Sequence, residues 1–183
     1  MQEFNFPRWL MQSLNIRFHL SNFVESGTYC GGTALLASTV FDAVYTIEID
    51  AHMYNNRVIP EARENKRITR YLGSSVDVLP KILPALESRS LFYLDGHWCG
   101  QVPVTGVECP VLQELSLLAN RLDDVIVVDD ARMFDAPVHT PHNQSHWPHI
   151  DCVVDAMKGT SNRCVIRFID MLIATPTPLF AVF

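Results

Sequence analysis

The sequence predicts a doubly wound α/β domain: a mostly parallel sheet, helices on both faces, and an antiparallel hairpin at its C-terminal end. Three observations carry this. Apolar strand-like runs alternate with helix-like segments five times, and right-handed crossovers then force a mostly parallel sheet. Val125-Ile126-Val127-Val128 is apolar without a break, as a strand covered on both faces should be. The runs Val165 to Phe168 and Met171 to Ala174 read as a closing hairpin. With no internal repeat and no boundary, residues 1–183 are expected to form one domain whose core needs no staple.

Near the N-terminus, Trp9, Leu10 and Leu14 share a helical face, whereas Ile16, Phe18 and Leu20 alternate, which predicts a helix ending near Asn15. A buried strand through Phe23 and Val24 enters the turn Gly27-Thr28-Tyr29-Cys30-Gly31-Gly32, and Thr33 to Phe41 has the small apolar residues of a buried helix. Val44 to Ile49 is the second strand. Asp50 can cap a helix through about Asn55, and Pro60 restarts or kinks the chain beyond it. Ile68 to Leu72 is a third strand, leading through Gly73-Ser74-Ser75 into a helix over Val76 to Leu86 that Pro80 and Pro84 make short or irregular. Leu91 to Leu94 is the fourth strand, and Gly96 to Gly106 is a loop. Pro110 opens a helix over Val111 to Leu122, with Val111, Leu112, Leu115, Leu118 and Leu122 along one face. After the fifth strand, Val125 to Val128, the segment Ala131 to Pro148 reads as a long surface loop, a kind usually functional or mobile. Ile150 to Met157 is a short helix stopped by Gly159.

Composition narrows the functional classes. Hydrophobic residues at 48% and charged residues at 19% describe a globular chain and not a disordered one. A net charge of -6 with no Lys/Arg cluster gives no footprint for nucleic acid. Cys30, Cys99, Cys109, Cys152 and Cys164 are irregularly spaced, odd in number and without a C-x-x-C, so reduced thiols in the cytoplasm are the simplest account. No signal-peptide core opens the chain and no apolar run reaches the ~20 residues of a membrane span, so a soluble cytoplasmic protein is expected.

In open parallel sheets ligands sit beyond the carboxyl ends of the strands. Glu25, Glu48, Asp95, Asp129 and Asp130 all fall there. The turn spacing G-x-x-x-G-G is neither the dinucleotide fingerprint nor a phosphate loop, but it allows close backbone approach, and Glu48 at the second strand tip can grip a ribose diol. A nucleoside-binding unit is therefore expected. Asp129 and Asp130 can line one site only where the strand breaks, because neighbouring strand side chains face opposite ways. Grouped with Asp95 they would repel without a cation or protonation, and carboxylate oxygens suit Mg²⁺ or Ca²⁺. His97 suits a general base or a metal ligand, and equally a hydrogen-bonded loop wall. His139, His142, His146 and His149 are spaced by three, four and three, but Pro141 and Pro148 interrupt any helix and no H-E-x-x-H is present. Trp98, Phe134 and Trp147 flank the region, with core or lid packing the default.

The segment from about Phe23 to Phe134 resembles the class I S-adenosylmethionine-dependent methyltransferases, with a weaker match through the hairpin. Val24-Glu25-Ser26-Gly27-Thr28-Tyr29 is similar to their first cofactor motif, Thr46-Ile47-Glu48-Ile49-Asp50 to the second, and Leu72-Gly73-Ser74-Ser75 to the turn at the adenine edge. Phe92-Tyr93-Leu94-Asp95-Gly96-His97 and Val127-Val128-Asp129-Asp130 look like the metal-dependent O-methyltransferases of catechols and macrolide sugars. The resemblance implies a Rossmann-like fold and S-adenosylmethionine held by Glu25, Gly27, Thr28, Tyr29, Gly31, Glu48, Ile49, Ser74, Ser75 and Asp95. It implies Mg²⁺ on Asp95, Asp129 and Asp130, with Asp95 and His97 as catalytic groups, and a small hydroxylated acceptor as partner, with no nucleic acid and no membrane. A homodimer is compatible with it. Three departures stand out: Ser26 replaces an aliphatic residue, His97 stands where sugar-modifying relatives often carry an acid, and the N-terminal lid is short. Two rival readings remain open. One is an Fe- or Zn-dependent hydroxylase or hydrolase using His97, the later histidines and Asp129; the other is a nucleoside-binding module without turnover.

Overall fold

The computed structural model describes residues 6–98, 106–159 and 163–176. Its centre is a seven-stranded sheet in the order β3-β2-β1-β4-β5-β7-β6. Strands β1 (Asn22–Ser26), β2 (Ala43–Glu48), β3 (Ile68–Leu72), β4 (Ser90–Leu94) and β5 (Val125–Val128) pair in parallel, and β7 (Met171–Thr175) lies antiparallel between β5 and β6 (Cys164–Phe168). The expected doubly wound sheet with its closing hairpin is therefore the architecture.

Alternate side chains of the strands feed two separate cores, as the pleat requires. Phe23, Val44, Leu91, Tyr93, Val125 and Val127 face the helices α1 (Arg8–Phe18), α2 (Gly32–Ala37) and α4 (Pro60–Glu64), the last reached after the short α3 (Ala51–Asn56). Val24, Ile47, Phe92, Leu94, Ile126 and Val128 face α5 (Ser75–Ile82), α6 (Val111–Leu117) and α7 (Ile150–Lys158). A continuously apolar β5 is what two buried faces demand. No helix among the described residues is long and apolar enough to cross a membrane.

Several element ends differ from the sequence expectation, each for a local reason. The first helix runs on to Phe18 because Leu14 and Phe18, four residues apart, are both buried on one face while Ile16 points out; His19 then caps it in the left-handed region. The second ends at Ala37, where the hydroxyls of Ser38 and Thr39 bond the carbonyls of Leu35 and Leu36. The helix opened by Pro110 stops at Leu117, and Leu122 lies outside it, half-exposed. Pro80 sits inside α5, and a 3-10 turn over Leu83–Ala85 carries the rest of that segment. The Ala131 to Pro148 stretch contains two 3-10 turns, Ala131–Phe134 and Gln144–His146. The part of the expected Gly96 to Gly106 loop at 99–105, with Cys99, lies outside the described residues.

Register brings the strand tips level: Ser26 pairs with Ile47 and Leu94, and Leu94 with Val128. The ladder continues one step past the strands, through Gly27 N–H to Ile47 O at 2.9 Å, Asp95 N–H to Ser26 O at 3.1 Å and Asp129 N–H to Leu94 O at 3.1 Å. Every acid singled out in the sequence therefore sits at or just beyond one edge of the sheet.

Candidate active site

Two glycines shape the turn after β1. Gly27 has φ +87° and packs against the end of β4, and Gly31 has φ +78° with Ala62 and Val58 close behind it. Tyr29, not a glycine, is also left-handed at φ 49° and more than half exposed. Glu48 latches this turn: Oε2 accepts from Tyr29 N–H at 2.9 Å and Oε1 from Asp50 N–H at 2.9 Å. Asp50 caps α3 as expected, accepting from His52 N–H at 2.7 Å and Met53 N–H at 3.0 Å.

Glu25 lies beneath the turn and is fully buried. Its donor is the Thr46 hydroxyl on β2, at 2.6 Å, and not the loop itself. Since Thr46 has one proton to give, the Thr28 hydroxyl donates to Thr46 at 2.6 Å, so the loop reaches Glu25 through a relay. Burial, set against that hydrogen bond, pushes the Glu25 carboxyl well above the usual carboxylate range. Ile49 and Ser74 are half-buried on the same edge, and Ser75, at the start of α5, is buried.

Beyond β4 and β5 a second group assembles. Asp95, His97 and Asp130 each offer a ligand atom, all within 4.8 Å of one another. His97 Nε2 lies 2.6 Å from Asp130 Oδ2, and its Nδ1 is 3.8 Å from Asp95 Oδ1. Burial pushes Asp95 up to about 8, helped by Asp129, Asp130 and Glu114 and opposed by His97. Burial also acts upward on Asp130, but the His97 hydrogen bond and charge, with Arg132, outweigh it and hold the carboxyl below its ordinary value. The same surroundings act oppositely on His97: burial disfavours its charge, and the Asp130 bond with the neighbouring carboxylates raises its pKa overall.

Asp129 is placed elsewhere. The chain leaves β5 and turns left-handed at Asp130, φ 52° and ψ 44°, which sends adjacent carboxylates in different directions. Asp129 is 1% exposed, accepts the Tyr93 hydroxyl, and takes the Asp130 N–H at 2.8 Å. Of the acids expected on the metal, the structure thus brings Asp95 and Asp130 together with His97 and directs Asp129 inward.

Of the four loop histidines, His142 reaches the site's wall. Glu108 gathers His142 Nδ1 at 3.1 Å, Asn143 N–H at 2.9 Å and Trp147 Nε1–H at 2.8 Å. Trp147 then meets His97 edge-on at 5.5 Å, and Trp98 meets His142 at 4.7 Å. His149 caps α7, and His146 lies near Asn143. Trp98 and Trp147 therefore pack against the rings of His142 and His97. A cavity of about 10 Å³, the size of one water, lies under this wall between His97, Cys109, Glu114 and Phe134. Sequence reasoning missed Glu108, Glu114 and Tyr93, whose partners are distant in the chain and leave no local pattern, and Arg132, which pairs with Asp130 two residues away and with the distant Asp170.

No family model matches the sequence, and no curated protein matches it. Solved structures do match its fold. The O-methyltransferase TomG from Streptomyces achromogenes, involved in tomaymycin synthesis and solved with SAM, is 14% identical with a TM-score of 0.61, over 92% of this chain and 78% of that one. The O-methyltransferase from Bacillus cereus in complex with SAH is 12% identical with a TM-score of 0.60, over 92% and 80%. The SAH-bound Podospora anserina methyltransferase PaMTH1 is 14% identical with a TM-score of 0.56, over 91% and 76%. The chain therefore folds as the class I S-adenosylmethionine-dependent methyltransferases do.

Proposed function

We propose that the protein is an S-adenosylmethionine-dependent O-methyltransferase acting on a small hydroxylated acceptor, sugar- or catechol-like, with help from a divalent cation. One observation carries the reading: the tips of β1, β2, β4 and β5 bring the Gly27–Gly31 turn, its latch Glu48, and the Asp95–His97–Asp130 group to one edge of the sheet. The cofactor-bound O-methyltransferases of the same fold support it.

The chemistry asked of the protein is modest. A sulfonium is already a good leaving group, so the residues must align an acceptor oxygen with the methyl group and dispose of a proton. Each Glu48 oxygen accepts one backbone N–H and keeps a lone pair for a ribose hydroxyl. Without a cation, His97, oriented by Asp130 at 2.6 Å, and Asp95 beside it are the groups placed to take the hydroxyl proton; with one bound they would be its ligands instead. Asp95, His97 and Asp130 each have a ligand atom to offer a single cation; the sequence resemblance brings Mg²⁺, which when bound would lower the acceptor's hydroxyl pKa.

Calorimetry with S-adenosylhomocysteine, followed by methyl transfer to a panel of catechols and sugars, tests this. Glu48→Ala should weaken S-adenosylhomocysteine binding at least about tenfold, the cost of losing hydrogen bonds to a charged group. Asp130→Ala should spare that binding and remove cation-stimulated turnover. A wild-type protein that binds neither S-adenosylmethionine nor its product would end the reading.

A further inference from the structure

We propose that the acidic site selects a transition-metal dication, of the Mn²⁺ or Co²⁺ kind, over Mg²⁺, because His97 and not Asp129 completes the ligand set with Asp95 and Asp130. This deepens the methyltransferase reading and rests on it for the role of the cation.

Asp129 is 1% exposed and lies outside the group formed by Asp95, His97 and Asp130. One oxygen holds the Tyr93 hydroxyl, the other the Asp130 amide, and the left-handed backbone at Asp130 keeps the two carboxylates apart. His97, by contrast, is more than nine-tenths buried and aimed into the group. Its Nδ1 faces Asp95 Oδ1 at 3.8 Å, too far for a hydrogen bond. Two ligand atoms each about 2.1 Å from one ion lie about 3 to 4.2 Å apart, so this separation admits a shared cation. Among the described residues, no donor bonds the Asp95 carboxylate, which leaves its lone pairs open.

The far side of the ring matches a metal-bound histidine. Such a histidine usually gives its second nitrogen to a carboxylate that fixes its orientation, as Asp130 does here at 2.6 Å. Asp130 thus orients His97 through Oδ2 and has its second oxygen, Oδ1, to offer the ion. Arg132, 2.6 Å from Asp130 Oδ1, is the resident positive charge; it is mostly exposed and is also held by Asp170, so an arriving cation can displace it toward that partner. An imidazole nitrogen strengthens binding along the Mn²⁺ to Co²⁺ series, whereas Mg²⁺ favours oxygen alone.

The test is calorimetric titration of the full, chelator-stripped chain with MnCl₂, CoCl₂ or MgCl₂, without cofactor or acceptor. Mn²⁺ and Co²⁺ are expected to bind at least about tenfold tighter than Mg²⁺, Co²⁺ tightest. His97→Asp, which makes the set all-oxygen, should erase most of that preference, while Asp129→Asn should leave the affinity ratio within about twofold. Arg132→Met should tighten all three cations together. Mg²⁺ binding as tightly as Mn²⁺, or no cation binding, overturns the proposal, as does an unchanged ratio in folded His97→Asp. The visible bands of the wild-type Co²⁺ complex give an independent readout: their absence on Co²⁺ addition overturns it too. S-adenosylhomocysteine titrated into the same preparation separates the two claims. Binding without metal preference sinks only the metal assignment, and metal preference without binding sinks only the methyltransferase.

Discussion

A Cβ atom on Gly27 would stand 2.3 Å from the carbonyl oxygen of Asp95, so the ends of β1 and β4 meet through an absent side chain. The obstacle is backbone, with the Asp95 carbonyl carbon at 2.9 Å and Gly96 Cα at 3.3 Å, and φ at Gly27 is +87°. This contact holds the Gly27–Gly31 turn and Asp95 in one rigid unit.

Gly27→Ala should therefore cost about 2–4 kcal/mol of stability, adding left-handed strain to overpacking. Urea denaturation measures it, and a loss below about 1 kcal/mol would mean the two tips separate freely.

Asp95 sets a pH dependence. Its pKa rises from 3.8 unfolded to about 8 folded, chiefly by burial, so the folded state holds the proton more tightly. Its contribution is full below the unfolded value and is lost as pH rises through about 8, by at most about 1.4 kcal/mol per pH unit. The metal-free protein should melt progressively lower across that window. Asp95→Asn should flatten the curve; an equally steep curve would assign the effect to another acid.

Glu108 should anchor the histidine loop. Burial acts upward on its carboxyl, but Trp147, Asn143 and His142 together lower its pKa, so its stabilisation is present above the ordinary carboxylate range and fades as pH falls. Glu108→Ala removes three hydrogen bonds and should cost about 2–4 kcal/mol. Hydrogen exchange should quicken over residues 139–148; protection unchanged there would show that aromatic packing alone holds the loop.

Ser26 and Glu114 form the opposite case. Among the described residues, Ser26 Oγ and Glu114 Oε1 are buried without a well-formed hydrogen bond, and burial raises the Glu114 pKa against the weaker pull of the Ser75 and Ser26 hydroxyls. Replacing both groups of such a pair by apolar ones can be neutral or stabilising. The double variant Ser26→Ala, Glu114→Leu should melt higher than wild type, most visibly at alkaline pH. A lower melting point would indicate that water in the adjoining cavity satisfies the carboxylate.

Regular elements are legible in the sequence wherever one residue's environment decides its side: the unbroken β5, Asp50 as a cap, Pro60 at a helix start. Phe18 is not, because its burial beside Leu14 depends on where the sheet lies, and alternation with Ile16 imitates a strand. The edge that holds the site is legible because acids come directly after strand runs. Which acid faces the site is not, since Asp129 and Asp130 are sorted by one left-handed residue and by the Tyr93 hydroxyl on a neighbouring strand. Glu108 and Trp147 lie 39 residues apart in the chain, beyond the reach of any local pattern.

At the tip of the closing hairpin, Ile169 is left-handed, and Asp170 takes the Ala131 amide with its carbonyl, at 2.7 Å, and Arg132 with its carboxylate. The last stretch of β-structure thus tethers the guanidinium that neutralises Asp130. Whatever tugs on these two strands will be felt as a change in charge beside Asp130.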